Sequence, residues 1–247
     1  MDPELGDMLS LLVHDLKNPL AAILTNLAFV SGALGEPRSL EDTREAIVDA
    51  KLACESMQRF VDNLELVARE LTGRASLMPL DPAPLDLSSI ADEAADRQRE
   101  AASDRRVRIS MRVRDGGAYA RADRDLVLRA MENLVANAVQ CAPSGTEIEL
   151  VIGGRVGPSG AETELVVLDE GPIVPPKMRD AILTRAGQAS AKGRAEARYG
   201  RGLSMHAAAI AARCARGRVE IGEERGRSAL RLVLPRLEDD DGRPSQV

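Results

Sequence analysis

The chain has 247 residues, 44% of them apolar, enough for one large domain or two modest ones with a packed core. Aromatic residues make up only 2%, with no Trp, so the core must be aliphatic, and a surface that stacks nucleic-acid bases on aromatic rings is disfavoured. The net charge of −6 is unevenly spread: residues 1–72 carry a balance of −7, while residues 185–231 carry +7, which argues for two modules and for an anion, such as a nucleotide phosphate, near the second.

No apolar run approaches the roughly 18 residues of a membrane span, and no signal-peptide pattern opens the chain. The three cysteines, Cys54, Cys141 and Cys214, are widely separated and form no metal or disulfide spacing. Each is expected as a small buried hydrophobe, and a reducing cytoplasm fits them.

A first helix is predicted over about 5–34, where Leu5, Leu9, Leu12, Leu16, Leu20, Ile23, Leu27, Val30 and Leu34 recur three and four apart as one apolar stripe. His14 falls on the opposite face, Asn18 shares that face one turn later, and Asp15 lies beside them near the stripe's edge. Pro19 removes a backbone donor and crowds the carbonyl of Asp15, so a bend is expected there. An exposed imidazole beside a carboxylate suits a nucleophile, since Asp15 can take a proton from one ring nitrogen and leave the other to attack. A lone surface histidine, taken by itself, carries no such meaning.

Gly35-Glu36-Pro37 ends the first helix, and Ser39 with Asp42 reads as a capping start for the second. Leu40, Ile47, Cys54, Val61 and Ala68 fall seven apart, and Thr43, Ala50, Met57, Leu64 and Leu71 follow each by three. Two such helices make an antiparallel hairpin that cannot hide both stripes alone. Pairing with a second copy gives a four-helix bundle; packing against the chain's own second module is the alternative.

Residues 73–84, with three prolines, read as a hinge between residues 1–72 and a second module at 85–236. There a short strand begins at Leu85, and Ser88 caps a helix to about 102. Strands are expected at 107–113 and 118–121, a helix at 124–141, and strands near 146–152 and 163–168. A short helix at 177–184 leads to a polar stretch, 185–199. A helix at 202–215 and strands near 218–222 and 228–234 complete the module. Residues 237–247 read as a disordered acidic tail. The architecture implied is multidomain, α then α+β: a helical hairpin followed by an α/β sandwich, one sheet covered on one face by helices.

On the helix at 124–141, Asn133 and Asn137 stand four apart and share a face, where amide oxygens suit hydrated Mg²⁺ or a phosphate. Two asparagines alone would pass as surface polars.

Taken as words, these stretches resemble sensor histidine kinases. His14-Asp15-Leu16-Lys17-Asn18-Pro19-Leu20 resembles the family's H box, His-Glu/Asp-x-x-Asn/Thr-Pro-Leu. Asn133-Leu134-Val135-Ala136-Asn137-Ala138 resembles the N box, Asp169-Glu170-Gly171 the G1 box, and Gly200-Arg201-Gly202-Leu203 the G2 box, all in the family's order. The second module has the element order of that family's nucleotide-binding (GHKL, or Bergerat) domain. A carboxylate such as Asp169 at a strand end can accept from an adenine amino group while Gly171 lets the base approach the backbone. Glycines at 200 and 202 ahead of a helix leave backbone donors facing phosphates.

The resemblance implies an ATP:protein-histidine phosphotransferase with ATP and Mg²⁺ as cofactors. Asn133 and Asn137 would serve the metal and phosphates, and Asp169 the adenine. Gly171, Gly200 and Gly202 would line the nucleotide, with Lys192, Arg194 and Arg198 within reach of phosphates. His14 would attack the γ-phosphorus with Asp15 as general base, and Asn18 would orient a water for phosphatase action on a receiver aspartate. The implied partners are a second copy through the hairpin and a response-regulator receiver docked on it. No nucleic acid or membrane is implied. With only thirteen residues before His14, either the chain is a core cut from a longer protein or a separate sensor protein supplies the input.

The sequence also departs from the family. Ile173 replaces the second G1 glycine, Gln140-Cys141 follows the N box in place of Lys-Tyr/Phe, and Ser204 replaces the third G2 glycine. Both phenylalanines, Phe29 and Phe60, lie in the hairpin, so the F box is missing. These losses support a rival reading, a phosphotransfer adaptor with a degenerate nucleotide domain. His206, on the helix after the G2 box, is expected to be structural.

Overall fold

A computed structural model describes residues 3–33, 40–74, 80–114, 119–157, 160–184, 187 and 203–237, without the side chains of 3–12, 14, 15 and 33. The chain divides into two compact units, Met1–Glu65 and Leu66–Val247.

The first unit is helical. Helix α1 spans Pro3–Ala33 and continues through Pro19. Helix α2 spans Leu40–Leu71, with Glu41 and Asp42 in its first turn and Arg69 in its last, each charge complementing the helix dipole. Along α2 the heptad positions Leu40, Ile47, Cys54 and Val61 are exposed, while Thr43, Ala50, Met57 and Leu64 are half-buried. On α1, Leu20, Leu24 and Leu27 are also exposed. Cys54 is therefore not a buried hydrophobe: it stands on a stripe that this single chain leaves open, and Cys141 and Cys214 are half-buried.

The second unit is built on a five-stranded sheet in the order β2-β4-β5-β7-β6. Its strands are β2 (Arg108–Val113), β4 (Glu147–Gly157), β5 (Gly160–Asp169), β6 (Arg218–Glu224) and β7 (Arg227–Pro235). β2 runs parallel to β4 and the other neighbours are antiparallel. A two-stranded ribbon, β1 (Pro82–Asp86) with β3 (Tyr119–Asp123), stands beside it. The hinge expected over 73–84 thus ends in a strand. Proline suits an outer strand, whose spare edge needs no N–H donor.

Three helices cover one face: α3 (Leu87–Asp104), α4 (Arg124–Cys141) and α6 (Ser204–Cys214). A short 3₁₀ turn, Pro176–Met178, and α5, Arg179–Ile182, precede α6. Helix α3 begins earlier than expected because Asp86, not Ser88, is its cap. The Asp86 carboxylate accepts the Ser88 N–H at 2.8 Å. Asp123 caps α4 in the same way, accepting the Leu126 N–H at 3.1 Å.

The covered face is aliphatic. Ile148, Leu150, Ile152, Leu165, Val167, Leu230 and Leu232 are fully buried, and the buried faces of α3, α4 and α6 are rich in alanine, which lets the helices approach closely. The opposite face alternates to Arg and Glu. Arg218 grips Glu162 with both amino groups at 2.7 and 2.9 Å. Arg155 grips Glu220 at 2.9 and 3.1 Å and also reaches Glu162 and Glu164. Gly153 and Gly222 make room for this layer, since a Cβ there would meet the Arg114 Cβ at 2.8 Å and the Arg231 guanidinium at 2.7 Å. Below it lie Val151, Val166, Leu168 and Ala229, all buried. Arginine stems over apolar side chains keep the charge outward while shielding them from water.

Leu237, expected to open the tail, belongs to the fold: it is buried, and its N–H donates to the Tyr119 carbonyl at 3.3 Å. Residues 238–247 lie outside the described residues.

Candidate nucleotide site and phosphoacceptor helix

Helix α4 is the element that most constrains the second unit. It packs between α3 and α6 and against β5, so nearly all its faces are buried. Asn133 and Asn137 are accordingly 3% and 4% exposed. The Asn133 side-chain amide donates to the Arg129 carbonyl one turn back at 2.9 Å. Buried amides of this kind are retained only where they are hydrogen-bonded or serve a ligand.

Glu132, next to them, is drawn the other way. It pairs with Arg97 of α3, which also holds Glu93 at 2.7 Å, and Arg124 closes the group on Glu93. Burial works against the Glu93 carboxylate, but Arg124 and Arg97 outweigh it and hold it below the usual carboxylate range. This cluster clamps α3 to α4.

Asp169 ends β5 and is fully buried. Its Oδ1 accepts the Gly171 N–H at 2.7 Å, which turns the chain sharply after the strand. Gly171 is buried, whereas Ile173, in place of the family's second glycine, is 39% exposed. Across the ladder Asp169 stands opposite Ser228 of β7. Ser228 is also fully buried, and its hydroxyl has no hydrogen-bond partner among the described residues.

Sequence reasoning missed Ser228. The alternation of β7 marks it only as one polar residue in an apolar strand, and its meaning comes from the register that sets it against Asp169. A buried hydroxyl beside a buried carboxylate, one donor and one acceptor, matches a heterocycle edge such as adenine's.

Of the remaining expected residues, Asn18 is exposed on α1. His14 and Asp15 lie on the same helix, but their side chains are outside the described residues, as are Lys192, Arg194, Arg198, Gly200 and Gly202 altogether. Leu203, where the G2 stretch meets α6, is buried with φ of 55°, a left-handed conformation that turns the chain into the helix. His206, one turn into α6, is 7% exposed. Among the described residues no group of three or more His, Cys, Asp or Glu could hold a metal ion. No helix among them is long and apolar enough to cross a membrane.

Comparison with known proteins agrees with this geometry. Residues 4–73 match the His Kinase A (phospho-acceptor) domain. Residues 122–238 match the histidine kinase-, DNA gyrase B-, and HSP90-like ATPase family. The signal transduction histidine-protein kinase/phosphatase MprB of Mycolicibacterium smegmatis is 28% identical over 200 residues, covering 78% of this chain and 37% of MprB. Among solved structures, the Acinetobacter baumannii histidine kinase AdeS aligns at a TM-score of 0.57 and 12% identity, covering 91% of this chain and 98% of that one. The histidine kinase ThkA in complex with response regulator protein TrrA aligns at 0.54 and 15%, covering 94% and 62%. The chain spans about a third of the length of the first curated relatives it matches. With a phospho-acceptor region ahead of an ATPase domain whose sheet and helices carry the N and G1 motifs, the chain belongs to the sensor histidine kinases, as their catalytic core.

Proposed function

We propose that the chain binds ATP in its second unit, transfers the γ-phosphoryl group to His14, and passes it to an aspartate of a response-regulator receiver domain. The observation that carries this reading is the buried Asp169–Ser228 pair, a carboxylate and an unpartnered hydroxyl held in register on adjacent strands. Asp169 would accept from the adenine amino group, and Ser228 would donate to a ring nitrogen. Asn133 and Asn137 would hold Mg²⁺, which neutralises phosphate charge when bound.

In the transfer, a His14 ring nitrogen bonds to the γ-phosphorus as the bond to the β–γ bridging oxygen breaks, and ADP leaves. Asp15 takes the proton from the other ring nitrogen, so the phosphorylated ring is neutral. Asn18 would orient the water that hydrolyses a receiver phosphoaspartate. The exposed stripes of α1 and α2 support a homodimer through the hairpin, since a second copy offers the matching stripe. The acidic hairpin would receive the regulator; among the similar structures, ThkA is seen in complex with the response regulator protein TrrA. A cytoplasmic setting follows from ATP as substrate.

The decisive experiment is incubation of the chain with Mg²⁺ and γ-labelled ATP beside a His14→Ala control. Acid-labile label on the unaltered chain alone is the expected result. The second reading, a phosphotransfer adaptor, rests on the missing F-box phenylalanine and on Ile173. It would be established by no label from ATP together with label from a phosphorylated receiver domain.

A further inference from the structure

The second unit begins inside α2, at Leu66, and Leu66 and Val67 are fully buried. One turn on, Glu70 reaches α6. Its Oε2 lies 2.9 Å from His206 Nε2, and its Oε1 pairs with Arg213. The other ring nitrogen of His206, Nδ1, lies 3.0 Å from the Leu183 carbonyl, just past α5. Both nitrogens therefore face oxygens, one a carboxylate and one a carbonyl. A neutral imidazole donates from one nitrogen only, and an imidazolium donates from both.

We propose that His206 is a positioning residue whose imidazolium form straps the last turn of α2 to α6 and to the end of α5, so that one proton sets how firmly the exit of the phosphoacceptor hairpin is fastened to the nucleotide-binding unit. The proposal rests on the kinase reading for its consequence, not for its geometry. The chain passes from α2 to β1 through residues 73–84, yet Glu70 is already tied to α6 before that connection begins. Opening the strap would free the last turn of α2 from α6 ahead of residues 73–84.

Among the described residues, the titratable and charged groups at the strap include Glu70 from α2 and Arg213 and Cys214 from α6, while the Leu183 carbonyl just past α5 faces the ring. Burial pushes the Cys214 thiol up from its ordinary value. Loss of the ring proton leaves one nitrogen facing an oxygen without a hydrogen, and the strap weakens as pH rises. The remaining N–H faces Glu70, the stronger acceptor, so the contact to the Leu183 carbonyl is lost and the one to Glu70 keeps its hydrogen but loses its charge assistance.

The test is amide hydrogen exchange of residues 67–71 in the full chain, corrected for intrinsic rates, between about pH 6 and about pH 9, spanning the range in which imidazoles titrate. Protection in the unaltered chain should fall by about tenfold across this range, the scale of one charge-assisted hydrogen bond. In His206→Gln, which keeps a donor but no titrating proton, protection should not change with pH. Glu70→Gln, at a half-exposed position, should behave likewise and decides the matter if His206→Gln does not fold.

Autophosphorylation supplies the second readout. The rate should rise several-fold with pH in the unaltered chain and start high and stay flat in both variants. A pH response in the variants equal to that of the unaltered chain, or no response in the unaltered chain, overturns the strap. If the chain takes no label at any pH, the kinase reading fails while the exchange experiment still decides the strap.

Discussion

The helical region before residue 65 and the sheet-based unit after it treat apolar surface in opposite ways. In α2 the heptad positions Leu40, Ile47 and Val61 stay in solvent, and only a few side chains such as Ala46 and Phe60 are buried. In the second unit, Leu134, Leu150, Ile152 and Leu165 are fully buried between one sheet face and three helices. One region leaves apolar side chains exposed, whereas the other closes on itself. The difference teaches where each step of the chemistry can be placed. On the proposed reading, a histidine that meets a nucleotide and then a receiver would belong on an open helix, and the nucleotide in a prebuilt pocket.

Substitutions can break this comparison region by region. The largest effect is expected from His14→Ala, which should abolish acid-labile phosphorylation while leaving nucleotide affinity unchanged, as checked by labelling beside calorimetric titration. Core truncation in the second unit comes next. Leu150→Ala should cost about 2–5 kcal/mol, read as a lower melting temperature of the sheet unit with the hairpin's helical signal retained. Asp169→Asn should weaken ATP binding by about tenfold to a hundredfold, the worth of a hydrogen bond to a charged group, without altering self-association.

Glu162→Gln tests the charged face of the sheet. Arg218, then Arg155, hold the Glu162 carboxylate below its usual 4.5 against the cost of its burial. A lowered folded value means stability that is present above the unfolded value and lost as pH falls through the folded one. Melting temperature should thus drop on acidification below about pH 4.5. The variant should be less stable by about 2 kcal/mol near neutrality, with a shallower acid limb. The smallest effect on the single chain is expected from Ile47→Ser, within about 0.5 kcal/mol as for an exposed site. The same change should nonetheless shift the chain from dimer to monomer in sedimentation if the stripe is the mating surface.

Much of the secondary structure was legible because each element carries its own period. Helix α4 runs over Arg124–Cys141 as its apolar spacing predicts, and the strands of the sheet fall where β-branched and leucine runs stand between turns. Starts and ends were less legible. Asp86 and Ser88 are both good caps, and only the pairing of β1 with β3 decides that Asp86 leaves its strand at the helix start. The charged side chains of the sheet's second face read as solvent-facing alternation, yet Glu162 and Glu164 are buried because arginines from neighbouring strands close over them.

The amino-acid sequence by itself determined the order of modules, the helix that carries His14, and the motifs at Asn133, Asn137 and Asp169, because these depend on residues a turn or two apart. Tertiary structure alone decided that Ser228 faces Asp169, that arginines roof one face of the sheet, and that Glu70 meets His206. The first and last of these meetings join residues 59 and 136 positions apart. No local period encodes such a meeting; strand register and helix packing do.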